Sequence, residues 1–329
     1  MSEIKLQDNL FTISTSPHIR ADESISKIMW TVNMALTPAA IYAIYRFGIP
    51  ALIILLMGSL SAVGFEYLVQ KLRKKPITIT DGSAFLTGLL LAMCLPPAIP
   101  AYMAVIGSFI AIVIAKHSMG GLGQNIFNPA HIGRAALMVS WPVAMTTWTK
   151  LSTSVDAVTT ATPLNILKQQ GYGKLIDTFG SAPQMYKAMF IGARNGSIGE
   201  TSTILLLLGG IYLIYKGYAN WVVPVFMIGT VGILTWMFGP AGLFSGDPLF
   251  HMMAGGLIIG AFFMATDMVT IPITKKGQII FAMGVGALTV LIRLKGGYPE
   301  GVCYSILLMN AVTPLIDRVA KPVKFGARR

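Results

Sequence analysis

The residues of this chain best placed to do chemistry lie in one hydroxyl-rich segment, whose centre reads Asp156-Ala157-Val158-Thr159-Thr160-Ala161-Thr162-Pro163-Leu164. Two uses compete for its last hydroxyl. In the first, Thr162 is an N-cap and Pro163 the first residue of a short helix through Leu164-Asn165-Ile166-Leu167-Lys168, because a threonine oxygen accepts from the free amides of a first turn and proline needs no partner there. In the second, Pro163 holds Thr162 extended and the small Ala161 leaves its hydroxyl accessible to a modifying enzyme. A phosphate esterified to that oxygen would then face the positive end of the same helix.

Other polar residues stand inside apolar runs, where an ionisable group costs on the order of 2.5–3.5 kcal/mol and needs a reason. Arg134, in Asn128-Pro129-Ala130-His131-Ile132-Gly133-Arg134-Ala135, is too far from a helix end to reach water easily. A buried partner and an anionic ligand both remain open for it. Asp267 closes an apolar run in Met264-Ala265-Thr266-Asp267, and Glu200 opens one after Gly196-Ser197-Ile198-Gly199. Loop contacts explain Asp267, and the helix dipole alone accounts for an acid in a first turn. With Asn128, these residues are candidates for an ion path or a cofactor pocket. Glu66, near the end of its apolar run, is expected to snorkel or to pair with the basic cluster at Lys71, Arg73, Lys74 and Lys75.

The remaining patterns exclude more than they suggest. His18, His117, His131 and His251 show no pairing at helical spacing, so metal or haem ligation is not supported. Cys94 and Cys303 read as small apolar packers. No Walker loop, no dinucleotide glycine fingerprint and no Cys-x-x-Cys occurs. The sequence therefore assigns no catalytic side chain and no metal site.

The elements that must carry these residues follow from composition. Of 329 residues, 54% are hydrophobic and 12% charged, half the charge of a typical soluble domain. Ten candidate helices emerge at about 27–46, 49–70, 82–96, 98–116, 125–140, 201–216, 219–238, 250–267, 277–294 and 301–317. An all-α polytopic membrane protein is expected. Ten spans of about 20 residues leave no room for a large soluble domain. Residues 1–26 carry Lys5, Asn9, Arg20, Asp22 and Glu23 where the apolar part of a signal peptide would sit, so the first span reads as retained.

The net charge of +12 reads as topology rather than as affinity for nucleic acid. Placing the N-terminus inside puts sixteen of the 25 basic residues on the inner side and only Arg46, Arg293 and Lys295 in short outer loops. The expected layout is a cytoplasmic tail over 1–26, five helices over 27–140, an external loop over 141–200, five more helices over 201–317 and a basic cytoplasmic tail over 318–329.

A weak internal repeat supports two such halves. Residues 88–96 and 256–264 are similar apolar stretches; Lys116 precedes Gly120-Gly121 as Arg293 precedes Gly296-Gly297; and Asn128-Pro129-Ala130 is echoed by Asn310-Ala311. Five helices per copy is an odd number, which inverts one copy relative to the other, as in many channels and transporters.

The segment Asp156-Ala-Val-Thr-Thr-Ala-Thr162 resembles the flavin-transferase acceptor motif Asp-x-x-Ser/Thr-Gly-Ala-Ser/Thr, with Thr160 standing where the motif usually has glycine. Four further stretches are similar to the membrane-protein family that holds the D subunit of the Rnf complex and the B subunit of the sodium-pumping NADH:quinone reductase. They are Asp81-Gly-Ser-Ala-Phe-Leu-Thr-Gly-Leu-Leu, Gly120-Gly-Leu-Gly-Gln-Asn-Ile-Phe-Asn-Pro-Ala with Gly133-Arg134-Ala135, Gly196-Ser-Ile-Gly-Glu-Thr-Ser202, and Phe262-Phe-Met-Ala-Thr-Asp267. Met268 follows where the family usually has proline.

The resemblance implies ten helices in two inverted repeats, related in fold to urea transporters. It implies FMN joined to Thr162 by a phosphoester, with Asp156, Thr159 and Ala161 forming the transferase motif. A second, non-covalent flavin, riboflavin, occurs in some members. The implied partners are iron–sulfur, NADH-binding and membrane subunits, a second covalent-FMN subunit, a flavin transferase and the lipid bilayer. The implied role is an electron relay between reduced ferredoxin and NAD⁺, coupled to Na⁺ or H⁺ movement. A solute channel of urea-transporter-like fold and an inert scaffold are the competing classes, and covalent flavin separates both from the relay.

Overall fold

The computed structural model describes residues 23–150, 158–159, 161–192, 194–239 and 242–322. Its first half runs through α1 (Ile25–Phe47), α2 (Ile49–Leu72), α3 (Ser83–Met93), α4 (Ala101–Phe109) and α5 (Pro129–Ser140). Wider π-type turns extend α4 through Ile110–His117, closed by the Ser118 amide on the Val113 carbonyl. A connecting segment holds α6 (Pro142–Thr146), a two-stranded antiparallel ribbon of β1 (Thr149–Lys150) and β2 (Val158–Thr159), α7 (Pro163–Phe179) and α8 (Ala182–Ile191). The second half comprises α9 (Thr203–Tyr215), α10 (Val222–Met237), a ribbon of β3 (Phe238–Gly239) and β4 (Gly242–Leu243), α11 (Pro248–Met253), α12 (Leu257–Ile259, continued by π-type turns over Gly260–Met264), α13 (Lys275–Lys295) and α14 (Val302–Val319).

Local chemistry sets the helix starts. Ser24 caps α1, Asn128 caps α5 with Pro129 in its first turn, and Thr274 caps α13. Helices α1, α2, α13 and α14 are long and apolar enough to cross a membrane, and α3, α4 with its extension, α9 and α10 are shorter apolar helices. The expected all-α membrane architecture is thus the one observed.

Hydrogen bonds between distant segments define two ends of the bundle. At one, Tyr218 bonds Glu23, the Trp30 indole reaches the Thr80 carbonyl, and Thr274 reaches the carbonyl of Ala320. This termini end gathers the first and last described segments. At the other, the Ile198 amide bonds the Leu95 carbonyl, Lys168 bonds the carbonyls of Gly296 and Tyr298, and Arg134 pairs with Glu300. This loop end carries the 141–200 segment. The first half therefore starts at the termini end and the second at the loop end.

Two expected spans depart from simple helices. The third is only α3, followed by non-helical Leu95–Pro100. The eighth is broken at Ala254-Gly255-Gly256, where both glycines have positive φ (66° and 64°), a backbone that other residues adopt at a cost. Such interruptions are tolerated inside a bilayer only where protein or a cavity surrounds them. Small residues draw the helices together around them: a Cβ on Gly88 would strike the backbone of Gly58 and Ser59 in α2.

Candidate functional site

Thr162 stands at the head of α7 at the loop end. Its Oγ1 accepts from the Asn165 amide at 3.2 Å, with Pro163 as first helical residue, so the capping reading holds. The helix runs on to Phe179, beyond the expected Lys168, with a kink at Gly171. The hydroxyl expected to be accessible belongs to a residue only 3% exposed, because α7 lies down on the bundle. Leu164, the second residue of α7, meets the break in the eighth span: a Cβ on Gly255 would overlap the Leu164 side chain. Ala161 is half-buried, Thr159 pairs through its backbone with Thr149, and Asp156 lies outside the described residues.

Beside this helix opens a groove of about 1460 Å³. Its walls are α7, the β3–β4 ribbon, the start of α11 and the last turns of α13. Lys168, Arg293 and Lys295 give it positive charge. Tyr172 and Tyr186 both donate to Asp247 Oδ2, at 2.9 and 2.6 Å, while Asp247 Oδ1 caps α11 through the Phe250 amide. Burial and the adjacent carboxylate push both phenols above their ordinary range, so they remain neutral donors.

Arg293 is buried behind the groove. Its guanidinium donates to the carbonyls of His251 at 2.6 Å and Ala254 at 2.7 Å, the backbone freed by the break. No carboxylate among the described residues lies within ion-pair distance of it. Lys116 holds the matching place at the termini end, 1% exposed. Its ammonium donates to Glu66 at 2.6 Å and to the Ser83 hydroxyl, in the first turn of α3, at 2.8 Å. Glu66 thus pairs with Lys116, and with His117 at 3.7 Å, in place of the expected 71–75 cluster. From that cluster, Arg73 turns instead to the His117 carbonyl and Lys75 to that of Gly120.

The four candidate path residues separate into two places. Asn128 and Asp267 line a termini-end cavity of about 130 Å³, together with Lys116, Asn125 and Thr266. Arg134 and Glu200 lie towards the loop end. Arg134 pairs with Glu300, which answers the question of its partner. Glu200 accepts from the Ser197 hydroxyl, and its carbonyl accepts two bonds from Arg194. Between the two places, the Asn128 side chain donates to the Met264 carbonyl at 3.3 Å. With the Asn310 amide oriented to satisfy its neighbours, its oxygen accepts from the Asn128 amide at 3.1 Å. The two asparagines of the sequence repeat are in direct contact.

Residues 12–326 match the model of the NQR2, RnfD, RnfE family. The chain belongs to this family. Relatives include the D subunit of the proton-translocating ferredoxin:NAD⁺ oxidoreductase complex of Clostridium ljungdahlii, 76% identical with both chains fully covered. The D subunit of the Na⁺-translocating ferredoxin:NAD⁺ oxidoreductase complex of Acetobacterium woodii is 46% identical over all of this chain and 98% of the relative. The D subunit of an ion-translocating oxidoreductase complex of Escherichia fergusonii is 35% identical over 97% and 99%.

In this member of the NQR2, RnfD, RnfE family, several buried charges went unassigned by sequence reasoning. Glu300 sits at the edge of an apolar run, 166 positions from its partner, and only its isolation there signalled it. Lys116 and Arg293 counted as topological charges, although the repeat had already paired them. The Tyr172–Asp247–Tyr186 cluster carried no local signal, since its members come from three helix starts and faces.

Proposed function

We propose that this chain is the D-type membrane subunit of an ion-translocating ferredoxin:NAD⁺ oxidoreductase complex, relaying electrons through FMN held as a phosphoester on Thr162. The observation that carries the reading is the acceptor-like motif ending on the N-cap of α7, in a chain that belongs to this family. The residues present suit such a group. First-turn amides of α7 favour a phosphate, and the adjacent groove, with its three cationic side chains, is roomy enough for an aromatic ring system. Bound there, the flavin would supply the reversible electron storage that no side chain of this protein offers. The chain's own part is positional: Thr162 and the α7 amides fix the attachment point, Lys168 ties α7 to the α13–α14 turn, and Tyr172 and Tyr186 both donate to Asp247, the carboxylate of the groove wall.

Partners of this reading are the iron–sulfur, NADH-binding, membrane and second flavin-bearing subunits of the complex, a flavin transferase and the bilayer. Both termini are cytoplasmic and the 141–200 segment external, where a tethered cofactor is kept and a dissociating one is lost. Riboflavin as a second, non-covalent flavin belongs to the same proposal, with Asn128 and Asp267 in the cavity that would take it.

The test is in-gel fluorescence of the denatured protein. The wild-type band fluoresces under ultraviolet light, T162S keeps the signal and T162V loses it. Because T162V also removes a cap, T162N is the control that restores capping without offering an oxygen for the ester, and it stays dark. A dark wild-type band sinks the relay and leaves the channel class of the same fold.

A further inference from the structure

Helix α5 spaces three polar residues three apart: Asn128, His131 and Arg134. Asn128 lines the termini-end cavity. Arg134 lines a second cavity of about 20 Å³ at the loop end, with Glu300 and Cys303, room for about one water molecule. His131 lies between them, 1% exposed, and neither of its ring nitrogens has a protein hydrogen-bond partner. Helix α14 seals the other side, with the Cys303 thiol 3.5 Å from the His131 carbonyl and Asn310 on Asn128. A fully buried imidazole with both nitrogens unspent is expensive, and packing alone would be served as well by leucine.

We infer that the α5–α14 seam is a proton path through this protein and that His131 is its relay, joining the Asn128–Asp267 cavity to the Arg134–Glu300 cavity. The step balances without any co-reactant. A hydronium ion in one cavity gives its proton to one ring nitrogen and becomes water, the proton on the other nitrogen leaves through water to the Glu300 carboxylate, which passes it on to water at the loop end and is again ionised, and a ring flip restores the starting tautomer. Only N–H and O–H bonds are made and broken. A metal cation is poorly served at this point, since it needs a shell of oxygen ligands, whereas the Cys303 thiol sits on the His131 carbonyl and Arg134 follows one turn on in α5. Arg134 is charge-neutralised by Glu300, which lowers the repulsion felt by a transient imidazolium. Glu200, Arg194 and Arg293 are further charged groups on that side.

Direction and driving force rest on the proposed electron-transfer reading, so the experiment reads the two separately. The assembled complex, carrying the wild-type chain or H131Q, is placed in phosphatidylethanolamine–phosphatidylglycerol vesicles containing a pH dye and driven with reduced ferredoxin and NAD⁺. Expected is at least a tenfold fall in the initial, protonophore-sensitive rate of internal pH change in H131Q, with elution volume in size exclusion unchanged. A rate within twofold of wild type overturns the relay, as does a wild-type complex that moves ²²Na⁺ without protons. Should H131Q not assemble, E300Q, which still accepts from Arg134, carries the same expectation and the same refutation. Covalent fluorescence on the same samples keeps the proposals apart: a dark wild-type band with a lost pH signal in H131Q removes the flavin and leaves the relay standing.

Discussion

The two ends of the bundle solve one problem differently. Each half ends its fourth helix with a buried cation placed against the start or break of the preceding span. At the termini end Lys116 meets a carboxylate, Glu66, and one hydroxyl. At the loop end Arg293 meets only carbonyls of the broken eighth span. Lysine, a compact point charge, suits a single acid, whereas the guanidinium fork can serve several carbonyls at once. The first arrangement is charge-neutral and closed; the second leaves a net positive charge behind a groove that also holds Lys168 and Lys295. What the difference teaches is that one buried cation is spent on structure, whereas the other is an electrostatic feature of the groove.

The contrast breaks most visibly at the closed pair. Lys116→Met strands a buried carboxylate and is expected to cost about 3–5 kcal/mol, read as lost thermal stability and yield of the detergent-solubilised protein. The double variant K116M/E66Q recovers most of the loss; if it is as unstable as the single, the pair is not the cause.

Arg293→Lys tests the open clamp next. One ammonium cannot reach all the carbonyls that the fork serves, and about 1.5–3 kcal/mol should go with the charged hydrogen bonds. The readout is faster proteolysis around residues 254–256, with the K116M behaviour absent. Gly255→Ala acts on the same break from the backbone side. Its positive φ and its overlap with Leu164 predict a loss of about 1–3 kcal/mol, visible as earlier hydrogen exchange in the first turn of α7.

The smallest effect belongs to the groove wall. Y186F removes one of the two phenol bonds to Asp247 and should cost about 0.5–1.5 kcal/mol. Because both phenols titrate above their ordinary range in the folded protein, their contribution is complete below the unfolded phenol pKa of about 10 and is lost as pH rises beyond it. Difference absorbance titration of wild type against Y172F and Y186F checks this: a wild-type-minus-variant phenolate signal appearing near pH 10 would contradict the cluster.

The sequence showed the spans well because each is an apolar run long enough to register by itself. α1, α2, α13 and α14 fall within a few residues of their expected limits, and Thr162 with Pro163 marked its helix start through two local rules. Interruptions registered less well. Gly255-Gly256 sits inside an apolar run whose composition never falters, and the eighth span read as continuous. The partners of Glu66 and Arg134 were illegible for a different reason. Lys116 is 50 positions from Glu66 and Glu300 is 166 from Arg134, so only packing between α2 and α4, and between α5 and the α13–α14 turn, brings them together. The acceptor residue was legible, whereas its burial was not, since that depends on where α7 comes to rest.

That resting place has a consequence in time. Once Leu164 is seated against Gly255 and the Thr162 oxygen is occupied by its own helix, no enzyme can approach that oxygen from outside. Any group attached there has to be installed while the segment is still undocked, or during an excursion that lifts it. If the proposed attachment at Thr162 is made, biogenesis is ordered: modification precedes the closure of α7 onto the broken span, and a chain that closes first escapes it.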